Sequence, residues 1–411
     1  MTATTSTDRP SLLAPDRAAS AIASARRAAV ADRYAANSFA VEWRSLSELG
    51  SIADEWRELA ARALEPNIFY EPAFALEAAA VFGRDAGAVL VWSGTSPRKL
   101  LGLFPARIEP RRYGVKLPVL AGWTHSYAPL GTPLVEREAA EPVIAAWLAH
   151  LADNPQLPGL LLLPYLPADG AFAATLGVIL RRAQMPAADF NRRHRAQLVP
   201  GNDRLLYVEH TLGQHKHKEL RRSVRRLGDV GAILFTTATA PAPVAAAVRD
   251  FFKLESRGWK GEAGTAAALH DDIRRFITAA VAGLAAEGKV TINRILIDGR
   301  AIAVTITLRS AGTAWFWKIV YDEDYARYSP GVVLTFAVTE DLVEDRTIVR
   351  TDSCATPNHP MIGHIWRERL ALCDRLIAVR PQAAFSLARR LELMRGLAVA
   401  GAKSLRERFH R

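Results

Sequence analysis

Cysteine is nearly absent from these 411 residues: Cys354 and Cys373 are the only two. Two thiols cannot build a disulfide framework or a cysteine zinc cage, and such sparing use fits a reducing cytosol. Histidine gives no metal signature either. His215 and His217 are two residues apart, a spacing that cannot place both on one helical face, so no metal is expected. No run approaches eighteen uninterrupted apolar residues, so no transmembrane helix is expected. Residues 1–37 mix Ala, Ser and Arg without the compact apolar core of a secretory signal. They are read as a flexible leader without a function of its own.

What is present is a globular composition, half apolar and with 23% charged residues. Lys and Arg number 53 against 42 Asp and Glu, a net charge of +11. That balance favours acidic partners: phosphorylated cofactors, nucleic acid or an anionic membrane surface. The length allows two domains with sizeable cores.

Along the chain, strands alternate with helices, the pattern of an α/β protein with a mixed sheet. A strand at Phe39–Leu46 is followed by a helix carrying Trp56, Leu59 and Ala60, and by a second helix over Glu71–Phe82. Paired strands follow at Ala88–Trp92 and Leu100–Pro110. The Gly/Pro-rich stretch Tyr113–Pro133 holds Trp123, His125, Ser126 and Tyr127. A helix near Glu138–Ala152, a strand at Gly159–Pro164 and a helix near Ala171–Arg182 bring the first domain to an end near Pro200. The stretch Leu212–Gly228 is the most basic in the chain. There Leu220, Val224 and Leu227 form a narrow apolar stripe, with Lys216, Lys218, Arg221, Arg222, Arg225 and Arg226 on the other faces. It reads as a solvated helix packed by its stripe, or as an electrostatic funnel for phosphates. The order of elements then repeats: a strand at Ala232–Thr237, helices at Pro243–Arg257 and Ala266–Glu287, and strands at Lys289–Ile297 and Ile302–Arg309. The last two are joined at Asp298-Gly299, a hairpin signal. This repetition suggests a tandem duplication with domains at 38–200 and 201–380. A long, basic, alanine-rich helix from Pro381 to Arg411 closes the chain.

The most informative stretch runs from Thr313 to Asp352. Alternation over Thr313–Tyr321 puts Trp315, Trp317, Ile319 and Tyr321 on one face of a strand, and Phe316, Lys318 and Val320 on the other. The acidic-aromatic loop Asp322–Tyr328 follows. Ser329, Pro330 and Gly331 then have the form of an N-cap, a first-turn proline and a small neighbour. The helix they open is apolar on most faces and therefore buried. A loop ending in exposed backbone N–H groups at a helix start can seat an anionic ligand.

Four segments resemble the GNAT acetyltransferase superfamily, and more narrowly its CelD-like domain, which is related to the Fem-type aminoacyl transferases. They are the basic helix Lys218–Arg226, Leu254–Gly261 (LESRGWKG), Tyr321–Gly331 (YDEDYARYSPG), and the acidic strand end at Asp352 followed by Trp366. The resemblance covers roughly residues 210–370 and is weaker over 39–200. It implies two tandem GNAT-like domains, each a mixed, mostly antiparallel sheet flanked by helices. It also implies acyl transfer from an activated carrier to an amine or hydroxyl, with a sugar or cell-envelope precursor as the favoured acceptor. On this resemblance Glu255 would be the general base, Tyr321 would protonate the departing thiolate, and Asp322 would orient the acceptor amine. The N–H near Ile319 would bind the thioester oxygen. Arg327, Ser329, Gly331, Val332 and Val333 would hold the carrier's pyrophosphate. Trp259, Lys260, Lys318, Tyr325 and Asp352 would contact substrate. The superfamily's loop usually carries Arg or Gln followed by two spaced small residues, whereas this chain offers Arg327, Ser329 and a single Gly331. The donor therefore stays open between acetyl-CoA or another acyl-CoA and an aminoacyl-tRNA.

Two other readings compete. The basic charge suits a nucleic-acid-binding protein, although basic-aromatic interleaving is missing. The basic C-terminal helix would dock on the body or lie on a membrane surface, the second of which would place a cytoplasmic protein at the inner face of the membrane. Cys354 would serve as a nucleophile only with His359 or His364 beside it.

Overall fold

The computed structural model describes residues 39–94, 96–200, 218–258, 261, 263–380 and 383–409. The leader, the two histidines at 215 and 217, and Trp259 and Lys260 lie outside them. Among the described residues thirteen strands form one continuous sheet. In the first half these are β1 (Phe39–Ser45), β2 (Ala86–Ser93), β3 (Leu100–Glu109), β4 (Val119–Gly122), the short β5 (Leu134–Val135), β6 (Leu160–Pro167) and β7 (Ala187–Leu198). The second half adds β8 (Ile233–Ala238), β9 (Val290–Ile297), β10 (Arg300–Ser310), β11 (Thr313–Tyr321), β12 (Arg350–Asp352) and β13 (Glu368–Ala378). The helices of the first half are α1 (Ala53–Arg62), α2 (Pro72–Phe82), α3 (Ala140–Asp153) and α4 (Ala171–Arg182). Those of the second are α5 (218–228), α6 (Pro241–Arg257), α7 (Asp271–Ala286), α8 (Pro330–Glu344), the single turn α9 (Ile362–Ile365) and α10 (Ala383–Phe409).

The sheet is mixed and mostly antiparallel, in the order β1-β2-β3-β4-β6-β13-β7-β12-β11-β10-β9-β8, with β5 on β3. Each half has one parallel pair, β4 with β6 and β11 with β12. The equivalent last strands, β7 and β13, have exchanged places. β13 occupies the slot beside β6, and β7 lies between β13 and β12. Hydrogen bonding therefore crosses the midpoint of the chain without a break.

Neither β7 nor β13 emerges from the periodicity of the sequence, because both carry charges along their length. Those charges are satisfied across the sheet. Arg193 pairs with Asp374 at 2.7 Å, Arg375 with Asp189 at 2.8 Å, and Arg195 with Asp352. A charged strand is tolerated in the middle of a sheet when each charge meets its opposite there.

One face of the sheet is covered by helices of both halves. Phe69, Phe74 and Trp123 of the first share a core with Phe251, Phe276, Trp315 and Trp317 of the second. Phe74 meets Phe276 edge to face at 5.3 Å, and the Trp317 indole N–H donates to the Tyr127 carbonyl at 2.9 Å. On the other face α3 and α4 cover the first half, while α8 and the apolar stripe Leu220, Val224 and Leu227 of α5 cover the second. The Asp298-Gly299 turn has both residues at positive φ, 48° and 78°, the conformation a tight hairpin needs.

Candidate active-site cleft

The Thr313–Asp352 stretch forms the predicted strand, loop, helix and strand. β11 and β12 pair in parallel only from Thr313↔Arg350 to Trp315↔Asp352. Beyond that point they part, and a cleft of about 580 Å³ opens between them. Phe316–Tyr321 form one wall, Ser353–Ala355 and His359–Ile362 the other, and Ser329, Gly331 and Val332 the end. Glu255 and Gly258, from the end of α6, and Glu323 and Ala326, from the loop after β11, complete the lining.

A bulge changes the strand's expected faces. Opposite β10, Ile306 pairs with Lys318 and Thr307 with Phe316, so Trp317 is an extra residue. Trp315 and Trp317 enter the core shared by the halves, but Ile319 packs on the opposite side with Phe316. Simple alternation put Ile319 with the tryptophans, and the inserted residue reverses it. Such a bulge leaves backbone groups out of the ladder and re-aims the side chains beside it.

The helix start differs from a side-chain cap. Ser329 is left-handed (φ 53°), and its hydroxyl makes no capping bond. Its carbonyl accepts the amides of Val332 and Val333 at 3.0 and 3.1 Å. Pro330 has no N–H, and Gly331, the next residue of the first turn, lines the cleft. A non-glycine residue held in the left-handed region beside a cleft is the kind of strain that marks ligand sites. Gly331 lies against Tyr321: a Cβ added there would sit 3.0 Å from the tyrosine ring.

Glu255, Lys318, Ile319, Tyr321, Ser329, Gly331 and Val332 meet in this cleft. Glu255 is buried, and its Oε2 accepts the Ala267 N–H at 2.9 Å. The Lys318 ammonium sits 4.0 Å above the Tyr127 ring. Tyr321, at the strand end, is 39% exposed, open enough to meet a ligand.

Asp322, Tyr325, Arg327, Val333 and Asp352 are absent from the cleft lining. Asp322 is buried, pairs with Arg300 and accepts the Asp324 N–H, so it anchors the start of its loop. Tyr325 packs on the core beside Tyr328, and the exposed Arg327 stacks on Tyr328 at 4.8 Å. Val333 is a core residue. The Asp352 side chain is 4% exposed, paired with Arg195 and bonded to the Cys354 N–H at 2.9 Å. Asp322 and Asp352 are thus held by neighbouring arginines, Tyr325 and Arg327 lie against Tyr328, and Val333 is packed in the core.

Sequence reasoning missed a second cleft, of about 420 Å³, which meets the first at Cys354 and Ala355. It is lined mostly by the first half: Thr124–Ser126, Pro129, Tyr165, Arg193 and Arg195. Burial and the nearby Lys318 charge push the His125 pKa down to about 3, so its imidazole is neutral. The Arg193 guanidinium lies 3.9 Å from the Tyr165 ring. The polar-aromatic stretch around Trp123–Tyr127 was the available clue, but nothing local ties it to residues more than two hundred positions away. A third, smaller pocket of about 200 Å³ lies between α5 and the start of α8. Among the described residues no group of His, Cys, Asp and Glu is placed to hold a metal.

Residues 214–355 match the family described as the acetyltransferase (GNAT) domain. The structure of FemX aligns with a TM-score of 0.56 at 8% identity, covering 83% of this chain and 98% of that one. The C-terminal domain (DUF2156) of an Agrobacterium fabrum protein named as a lysylphosphatidylglycerol synthetase aligns at 0.50, with 11% identity over 82% of this chain and 95% of that one. A Bacteroides thetaiotaomicron protein of unknown function also aligns at 0.50, with 9% identity over 82% and 99%. No curated protein matches the sequence. Residues 214–355 thus resemble a GNAT-type acetyltransferase domain, and the chain as a whole shares its fold with FemX.

Proposed function

We propose that this protein transfers an acyl group from acyl-CoA, with acetyl-CoA the first candidate, to an amine or hydroxyl. The observation that carries this reading is the cleft where β11 and β12 part, closed at one end by the first turn of α8. The acyl carbonyl would lie beside the bulge at Trp317–Lys318, where a backbone N–H can stabilise its developing charge. Glu255, directly or through water, would take the proton of the attacking amine or hydroxyl as the new C–N or C–O bond forms. The carbon–sulfur bond then breaks, and Tyr321 would give its proton to the departing thiolate. The carrier's phosphates would meet the Gly331 amide at the positive end of the helix. The acceptor would enter through the second cleft, which meets the first at Cys354 and Ala355. A sugar or cell-envelope precursor is the acceptor class we favour.

The alternative donor is an aminoacyl-tRNA. Its specific support is the exposed Arg221, Arg222, Arg225 and Arg226 of α5, beside the α8 start. Calorimetry with acetyl-CoA on wild type, Gly331→Ala and Gly331→Asp separates the two. Binding by the wild type that is lost on Gly331→Asp and only weakened by Gly331→Ala supports the acyl-CoA reading. No binding by the wild type, together with retention of aminoacyl-tRNA on filters, would replace it with the second.

A further inference from the structure

The C-terminal helix α10 is seated on the body by its first turns. Phe385, Ala388 and Leu391 pack on the core formed by Leu117, Leu160 and Phe190. Glu392 is buried and held by the Arg112 guanidinium at 2.8 Å and the Tyr113 hydroxyl at 2.8 Å. From Leu393 to Val399 every residue is exposed, on all sides of the helix. Leu393, Met394, Leu397 and Val399 are 51%, 64%, 74% and 57% exposed, and Leu387 before them is 45% exposed. The helix extends to Phe409, about 24 Å past Leu393 at 1.5 Å per residue.

Aliphatic side chains on show from Leu393 to Val399 gain little from the body that would hold this stretch folded. Its charge indicates what covers it. Between Ala383 and Phe409 the sequence has six cations (Arg389, Arg390, Arg395, Lys403, Arg406 and Arg408) and two anions, Glu392 and Glu407. Glu392 is already consumed by Arg112 and Tyr113. The adjoining β3–β4 loop adds exposed Arg111, Tyr113, Val115 and Lys116. Two copies of so cationic a helix would repel one another. A nucleic acid would neutralise the arginines but leave the leucines uncovered, and aromatic stacking groups are few here. An anionic lipid surface meets both needs, because apolar side chains enter the acyl boundary while arginines reach the headgroups. Among the described residues no helix is long and apolar enough to cross a membrane, so the contact is interfacial. We infer that the exposed side of α10 from Leu387 to Val399, with the tip of the β3–β4 loop, is a docking surface for an anionic lipid bilayer.

The test is co-sedimentation of the full-length protein with vesicles of phosphatidylcholine alone and of phosphatidylcholine mixed with phosphatidylglycerol. The mixed vesicles should retain the protein at low salt and the neutral ones should not. Substituting both Met394→Glu and Leu397→Glu should reduce retention to background. Arg389→Ala with Arg390→Ala should weaken it on the order of tenfold. Both pairs are exposed and away from the clefts, so thermal melting and acetyl-CoA binding should be unchanged in the variants. Failure of the wild type to bind mixed vesicles would overturn the inference, and so would binding that ignores both pairs of substitutions. Light scattering that showed a dimer abolished by the Met394/Leu397 variant would assign the surface to a second copy of the chain.

Discussion

Asp352→Asn would test whether the ion pair at the junction of the two clefts is structural. Asp352 and Arg195 have side chains 4% and 3% exposed, and they join β12 to the exchanged strand β7. Arg195 also donates to the Pro129 carbonyl at 2.8 Å, while Asp352 holds the Cys354 amide at 2.9 Å. Asparagine keeps an acceptor for Cys354 but leaves a buried guanidinium without its counter-charge. Breaking a buried pair from one side costs about 3–5 kcal/mol. At about 2.1 cal/mol/K per residue over the chain, that corresponds to a fall in Tm of roughly 3–6 °C if the sheet melts as one unit. Replacing both partners, Arg195→Met with Asp352→Asn, removes the orphan charge and should recover part of the loss. Melts and urea curves on the two single variants and the double would measure this coupling. An Asp352→Asn protein within 1 kcal/mol of wild type would refute the argument, and so would a double variant as unstable as the sum of the singles.

Other outcomes follow from the same geometry. His125 titrates near 3 in the folded protein against 6.5 unfolded, so the unfolded chain binds the extra proton between those values. Its contribution to stability is therefore full above pH 6.5 and falls as the pH drops, by about 2 kcal/mol at pH 5. His125→Phe should flatten the acid limb of a stability–pH profile. Some slope should survive, because burial also lowers the pKa of His150 and His359. Cys354→Ala should leave acyl transfer nearly unchanged, since desolvation and the neighbouring Asp352 raise the thiol's pKa and keep it protonated; complete loss of turnover would make the thiol a reactant. Trp317→Phe removes the indole bond to the Tyr127 carbonyl and should cost about 1 kcal/mol in urea unfolding.

The parts of the fold legible in the sequence were those whose signals are local. The Asp298-Gly299 hairpin, the stripe of α5 and the succession β11–loop–α8 all announce themselves within a dozen residues. β7 and β13 do not, because Arg193, Arg195 and Arg375 read as surface charges until their partners on other strands are in place. The candidate cleft was half legible for the same reason. Lys318 to Val332 is one continuous segment and Glu255 lies in a resembling motif, whereas His125, Arg193 and Arg195 reach the junction only through folding. Asp352 and Asp322 are paired with arginines, and a carboxylate near a strand end has the same appearance in sequence whether it meets a substrate or an arginine.

The exchange of β7 and β13 also constrains movement. In a protein built of two separable lobes, ligands enter when the lobes swing apart about a linker. Here such a swing would have to tear the ladder that β13 makes with β6 and β7. The two halves are instead clasped, each supplying the strand that finishes the other, so the gap between β11 and β12 has a width set by the sheet itself. Entry and release then fall to the short segments around the gap, 322–329 and 353–361. Severing the chain near residue 200 should yield two fragments that fold only when mixed.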